Sequence, residues 1–419
     1  MLAELARDTK VEAETRATVG RILEDVRLNG LDAVFRLTRE LDGVALDAGS
    51  FRVDRAAMRA ALAGLRAGDP DLVGDLEGMV DGIRRFALAQ KAALRDVDLA
   101  LPGGGRARER WLPMATAGVY IPGGRAFYPS TLAMTVIPAQ VAGVARIVGL
   151  TPPKSGGPDP LVLATAALLE LEELYTVGGA QAVGWMVFGE PRVDLVAGPG
   201  NRFVAEAKRQ LVGSCGIDSV AGPSEVLVIA DAGADPDTVA EDLLAQAEHD
   251  PDAAAVLISD DPALLAAVAA TLARRVQSSP RRTILEESLG RHGRLIQADR
   301  DLAVAFAQAW APEHLEVCVQ DPESWLPHLT TASALFLGTS SAEAFGDYGA
   351  GPNHVLPTDR SARYASPLGV ATFLKRQSLL RLSPADATAM APWVSQLAEA
   401  EGLVHHGRSA TLRSGHNQG

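Results

Sequence analysis

The sequence predicts an α/β protein of two Rossmann-like parallel-sheet modules, with an N-terminal helical segment and a small helical C-terminal tail domain. Three observations carry this reading. Short apolar runs alternate with amphipathic stretches, the rhythm of strands joined by crossover helices. Turns rich in glycine and proline close those runs, as at Gly178-Gly179 and Gly198-Pro199-Gly200. The rhythm restarts after Ala221-Gly222-Pro223-Ser224, which divides it into two series. A chain of 419 residues has room for two or three domains. The expected boundaries are 1–115 for the helical segment, 116–222 and 223–365 for the two modules, and 366–419 for the tail.

Residues 19–38 and 56–95 carry apolar side chains at spacings of three and four with charges between, so both read as helical. Pro102-Gly103-Gly104-Gly105 breaks that region. Residues 117–121 form a strand closed by Pro122-Gly123-Gly124, and 130–141 a helix that Pro138 can kink. A strand at 146–150 stops at Pro152-Pro153; a helix at 161–171 and a strand at 174–177 follow. Gly178-Gly179-Ala180-Gln181 opens a helix, 193–197 is a strand, and 203–212 a helix. In the second series 225–230 is a buried strand, and Asp235-Pro236 supplies the N-cap and first-turn proline of a helix reaching His249. Residues 253–259 are a strand and 262–276 a helix, with short strands near Leu295, Leu315 and Leu335. Beyond Ser366 the chain reads as amphipathic helix. Sheets of this kind take ligands at the carboxyl ends of their strands. Which module the N-terminal helices cover is open; if the second, the first is an insertion.

Hydrophobic residues make up 47% of the chain, enough for real cores. A net charge of −13 argues against nucleic-acid binding, and an anionic ligand would need a local site of backbone N–H groups or a few arginines. Cys215 and Cys318 stand far apart without a CxxC, so they read as small buried hydrophobes in a reducing compartment. The first eight residues hold acids and no long apolar run, unlike a signal peptide, and no apolar stretch is long enough to span a membrane. A cytoplasmic protein is expected.

No G-x-G-x-x-G follows a strand. A nucleotide reading therefore rests on Tyr120-Ile121-Pro122-Gly123-Gly124, Gly178-Gly179-Ala180-Gln181 and Gly198-Pro199-Gly200-Asn201, each either a tight turn or a cradle of backbone N–H groups for phosphate. In Ala309-Trp310-Ala311-Pro312-Glu313-His314-Leu315 a carboxylate stands beside an imidazole at a helix-to-strand corner. Two groups of different intrinsic pKa suit an enzyme that moves protons twice per turnover; the alternative is solvated surface. Gln246 and His249 share a helix face, as a hydrogen-bonded core glutamine beside a helix-end histidine or as ligands. Asp347 lies in Phe345–His354, a stretch whose glycines and Pro352 describe a loop, functional or simply turned. Glu401 and His405-His406 close the tail as caps or ligands. His292, His328 and His416 have no motif around them and read as surface.

Together these stretches resemble the histidinol dehydrogenase family over residues 19–413. The three turns carry the resemblance, with Ala221-Gly222-Pro223-Ser224-Glu225-Val226, Gln246-Ala247-Glu248-His249, Glu313-His314, Gly346-Asp347-Tyr348, the run Gly351–Thr358, Ser366-Pro367-Leu368-Gly369, and Glu401 with His406. The resemblance implies oxidation of L-histidinol to L-histidine through a bound aldehyde with two NAD⁺. It implies a zinc-dependent homodimer, one ion per subunit, in which the tail of one subunit completes the other's site. The implied zinc ligands are Gln246, His249, Asp347 and His406, which also contact substrate. His314 would be the base for the alcohol proton, with a pKa near the working pH, and Glu313 would activate water against the aldehyde. Ser224, His354 and Glu401 match substrate contacts, and Tyr120, Gln181 and Asn201 match nucleotide contacts. The chain departs from the family's pattern at residues 189–193, which look short, at Cys215 in place of an aliphatic residue, and at Asp359-Arg360 in place of glycines. Relatives acting on another alcohol, such as a sulfonated diol, share the zinc and Glu-His positions; a non-catalytic metal or nucleotide binder is the other rival.

Overall fold

The computed structural model describes residues 13–123, 128–154, 157–190 and 192–414. Gly124, Pro191, His416 and the first eight residues lie outside them. Two compact units divide the chain, one of residues up to Leu88 with Met114–Phe373, the other of Ala89–Pro113 with the chain from Leu374.

The chain begins with helices Ala13–Asp42, Ala48–Phe51, Arg55–Gly68 and Pro70–Ala93. The first bends at Gly30, whose φ of 54° is left-handed. Asp47 and Asp54 cap the next two through their carboxylates. Strands β1 (Val97–Ala100) and β2 (Arg106–Pro113) then pair antiparallel. The Pro102–Gly105 break is thus the turn of a hairpin, with Gly104 at φ 93°, rather than the end of a helical region.

Strands β3 (Thr116–Tyr120), β4 (Arg146–Thr151), β5 (Glu173–Thr176), β6 (Leu195–Ala197) and β7 (Gly216–Ile217) form a parallel sheet of order β5-β4-β3-β6-β7. Strands β8 (Glu225–Ala230), β9 (Ala254–Ser259), β10 (Arg294–Gln297), β11 (His314–Cys318) and β12 (Ala334–Leu337) form a second, of order β10-β9-β8-β11-β12. The two orders are the same permutation, so each sheet reverses direction between its first and fourth strands. The second unit holds β13 (Leu374–Arg381), which pairs with β2 to complete a three-stranded antiparallel sheet, and helices Pro384–Ala400 and Val404–Thr411. The sequence reading of the tail as helix alone missed this sheet.

The first N-terminal helix belongs to the first module, whereas the fourth also packs through Gly82 and Phe86 on Gly349 and Gly351 of the second series. Val19, Ile22, Leu23, Val26 and Val34 share a buried core with Val183 and Met186 of helix Gly179–Phe188, each worth about 1.5–3 kcal/mol when fully buried. Helix Pro236–Ala247 covers one face of the second sheet through Val239 and Leu243 against Val226 and Val228. Helix Arg300–Trp310 covers the other through Phe306 and Trp310 against Leu227, Leu315 and Val317. Cys318 is buried and Cys215 half-buried, and burial pushes their thiols up to about 12 and about 11. Among the described residues no helix is long and apolar enough to cross a membrane.

Candidate active site

The predicted nucleotide contacts gather at the carboxyl edge of the first sheet. Tyr120 ends β3 and is buried; its hydroxyl accepts the Gly179 N–H at 3.1 Å. Burial pushes that phenol up to about 12, which keeps it neutral. Gln181, also buried, donates through Nε2 to Asp42 at 3.2 Å, while its Oε1 has no partner. Asn201 caps helix Arg202–Leu211, accepting from Phe203 N at 3.0 Å and Val204 N at 3.2 Å. Gly179 and Gly198 take left-handed φ values of 67° and 110°, and a Cβ on Gly198 would stand 2.2 Å from the Tyr120 carbonyl oxygen. The close approach of the two turns therefore requires glycine.

The second module places its candidates at the opposite, amino edge. Ser224 precedes β8, and Glu313-His314 lead into β11, whose His314 lies in register with Val226. The Glu313 carboxylate accepts the Glu225 N–H at 2.9 Å, and Glu225 answers by accepting the Glu313 N–H at 3.4 Å. His314 Nδ1 lies 3.1 Å from the Glu225 carbonyl oxygen. A carbonyl only accepts, so Nδ1 carries the hydrogen and Nε2 the lone pair. Carboxylate oxygens of Glu313 and Glu343 lie 3.7 and 3.6 Å from Nδ1. Burial pushes His314 down to about 4, against the opposing pull of Asp347 and the Glu225 carbonyl. The sequence reading put this pKa near the working pH; desolvation of the imidazolium is why it lies lower.

Strand periodicity turns His314 and Glu316 toward helix Pro236–Ala247, the side on which Cys318 joins Val239 and Leu243. Asp242 and Gln246 lie one turn apart on that helix, and His249 follows just past its end. Gln246 is fully buried, yet neither of its amide atoms has a hydrogen-bond partner; His249 Nδ1 is likewise buried and unpartnered. Asp347 lies on a short helix, Glu343–Tyr348, rather than in the loop the glycines suggested. Burial raises its carboxyl, but the bond to His354 and the charges of His354, His314 and His249 outweigh this and hold it below the usual value. His354 Nδ1 donates to the Asp347 carbonyl oxygen at 3.1 Å, and Thr131 of the first module lies 3.2 Å from its Nε2. The structure therefore brings His249, His314, Asp347 and His354 together. Glu401 and His406 lie on the second unit, both exposed, at the ends of its two helices.

Sequence reasoning missed three carboxylates of this site. Glu343 is buried, and burial, then Asp347, Glu313, Glu316 and Asp242, raise it well above the usual range. Burial, then Asp242, pushes Glu316 up to about 8, and burial raises Asp242 itself. Glu316 left a trace in the sequence, a charge among the apolar residues Leu315, Val317 and Cys318. Among the described residues no three of His, Cys, Asp or Glu form a metal-holding group by themselves. The available donors in the first unit are mixed, with Gln246 beside His249 and Asp347.

The carboxyl edge of the second sheet differs from its counterpart in the first. It holds a cavity of about 270 Å³ lined by Asp231, Asp260, Asp299, Asp321, Arg300 and Trp325, among others. Four carboxylates make it a poor host for phosphate.

Two α/β modules of one strand order, one edged by glycine turns and the other holding a buried imidazole among carboxylates, define an oxidoreductase of the dehydrogenase class. The chain belongs to the histidinol dehydrogenase family, whose model matches residues 5–414. It is 41% identical over 414 residues to the histidinol dehydrogenase of Nitrosomonas europaea, covering 98% of this chain and 95% of that protein. It is 43% identical over 418 residues to that of Aromatoleum aromaticum, covering 98% and 94%. The crystal structure of histidinol dehydrogenase from Elizabethkingia anophelis matches with a TM-score of 0.90 at 32% identity, covering 98% of this chain and 94% of that one.

Proposed function

We propose that this chain oxidises L-histidinol to L-histidine through a bound histidinal, with two NAD⁺ and one zinc ion per subunit, at the end of histidine biosynthesis in the cytoplasm. The observation that carries the reading is His314, buried, protonated at Nδ1 and flanked by Glu313, in a module whose Gln246 holds a buried amide with no partner in the protein.

Zinc fits those orphaned atoms. Gln246, His249 and Asp347 offer nitrogen and oxygen donors, and the single carboxylate leaves the ion a net positive charge. His406, from the tail of the partner subunit in a homodimer, is the proposed fourth. When bound, zinc supplies a template for the substrate's imidazole and amine, and NAD⁺ supplies the hydride acceptor. His314 takes the hydroxyl proton at Nε2, while the Glu225 carbonyl keeps Nδ1 protonated. Glu313, anchored by the Glu225 N–H, draws a proton from the water that attacks the aldehyde. As that water adds, His314 returns its proton to the carbonyl oxygen, which forms the neutral hydrate and frees Nε2 to take the hydrate's hydroxyl proton in the second oxidation. Ser224 and His354 contact substrate, His354 by exchanging its Thr131 partner, and Glu401 meets the ammonium group. Tyr120, Gln181 and Asn201 line the coenzyme, with the glycine turns giving N–H groups to its phosphates. The acidic cavity of the second module leaves one coenzyme site per subunit, used twice in a turnover.

Titration of zinc-loaded protein with limiting L-histidinol tests this. Two NADH per histidinol are expected, with activity lost in strong chelator while far-UV dichroism is kept. One NADH per histidinol, or full activity in chelator, ends the proposal. A sulfonated diol assayed in parallel separates the alternative substrate: faster NADH formation from the diol would move the assignment.

A further inference from the structure

Lys208 is among the most deeply buried large side chains of the protein, 1% exposed on helix Arg202–Leu211. Its ammonium forms an ion pair with Asp218, which is also buried and follows β7. The pair converges on one residue. Lys208 Nζ donates to the Gly198 carbonyl oxygen at 3.0 Å, and the Asp218 carboxylate accepts the Gly198 N–H at 2.8 Å. Both polar groups of Gly198 are thus gripped from opposite sides by opposite charges. Asp218 is fixed in turn, accepting the Ser219 N–H at 2.7 Å and donating its own N–H to the Val196 carbonyl at 3.2 Å. Gly198 has a φ of 110° and packs directly on the Tyr120 carbonyl.

Stability alone is a weak reason for such a pair, because desolvating two charges offsets most of their attraction. The pair neutralises itself, so it offers no charge to a phosphate. What it does is hold a left-handed glycine at the head of the turn that ends in Asn201. We propose that Lys208 and Asp218 are positioning residues that preset the Gly198–Asn201 turn for the dinucleotide without touching it. This rests on the reading of that turn as the coenzyme's seat.

Lys208→Met alone strands a buried carboxylate, so the informative variant is Lys208→Met with Asp218→Asn, which removes both charges and keeps an oxygen facing the Gly198 N–H. The KM for NAD⁺ is expected to rise at least about tenfold while the KM for histidinol moves less than about twofold. Calorimetric titration of NAD⁺ into the zinc-loaded variant should show the same loss. A folded double variant with an unmoved NAD⁺ constant, or with both constants raised alike, overturns the proposal. Hydrogen exchange on the wild-type protein needs no variant: the Gly198 amide is expected to be protected before NAD⁺ is added. An amide that exchanges freely until NAD⁺ arrives refutes presetting. If the wild-type protein itself forms no NADH from histidinol, it is the functional reading that fails; if it does and the clamp variants bind NAD⁺ normally, only the clamp fails.

Discussion

A buried imidazole proposed as a base must reconcile two demands. Burial holds His314 neutral, so its Nε2 can accept a proton at any pH above about 4, but the imidazolium formed on acceptance is poorly solvated. The charge of Asp347, which pulls His314 upward, and the Glu313 carboxylate 3.7 Å from Nδ1 offset that charge, whereas Glu343, raised well above the usual range, stays neutral. His314→Asn removes the base and should slow both half-reactions by about 10²–10⁴-fold. Glu313→Gln keeps an oxygen for the Glu225 N–H but cannot take a proton from water. It should leave histidinol oxidation within about fivefold and slow histidinal oxidation by about 100-fold or more. Single-turnover NADH formation from each compound in turn separates the two; equal losses would show the roles to be misassigned. Glu313 and His314 were legible because they are adjacent in the chain. Glu343 was not, since only the fold carries the short helix bearing it against a strand that begins well upstream.

At the level of elements, buried strands were readable and exposed ones were not. Several core strands are apolar runs closed by glycine, proline or an N-cap, and β8 falls on the residues expected for it, whereas β7, only two residues long, offered no run to read. All four residues of β1 are exposed, and β13 is nearly so, which leaves no alternation to read. Asp359 and Arg360, read from the sequence as standing where glycines are expected, adopt left-handed φ values of 51° and 63°, a conformation glycine takes without strain. A charge inside a core strand has a thermodynamic consequence. Burial and Asp242 push Glu316 up to about 8, from an ordinary value of 4.5. The folded state therefore holds this proton more tightly than the unfolded chain. Its contribution to stability is full below the ordinary value and is lost as pH rises through about 8, at a slope of at most about 1.4 kcal/mol per pH unit. Glu316→Gln keeps an oxygen to accept the Glu343 N–H, now 2.7 Å from the carboxylate, and abolishes the titration. Thermal melts from pH 5 to 8 should show the variant's advantage in Tm growing with pH. Parallel curves for the two proteins would contradict this account.

Across the whole molecule, one strand order has been put to two uses. The first sheet keeps glycine turns at its carboxyl edge, where open α/β sheets commonly seat ligands. The second carries Glu313 and His314 at the amino edge and closes the other with carboxylates. Sequence rhythm revealed both sheets but put ligands at the carboxyl ends of both; in the second module Ser224, Glu313 and His314 stand at the amino edge instead, because the edge depends on which turns the crossovers bring together. The tail poses the remaining question of scale, since His406 and Glu401 lie on the unit formed by Ala89–Pro113 and the chain from Leu374. If each tail serves its partner, two inactive variants must complement each other. A His406→Ala subunit offers an intact acid–base pair and a defective tail; a His314→Asn subunit offers the reverse. In a mixed dimer with exchanged tails one site has every group and the other lacks both. Random pairing of equal amounts makes half the dimers mixed, so about a quarter of wild-type activity should return after the two are unfolded and refolded together. If each tail serves its own subunit, every site in the mixture lacks one group and no activity returns. A rate equal to the average of the two separate variants would exclude exchange between subunits.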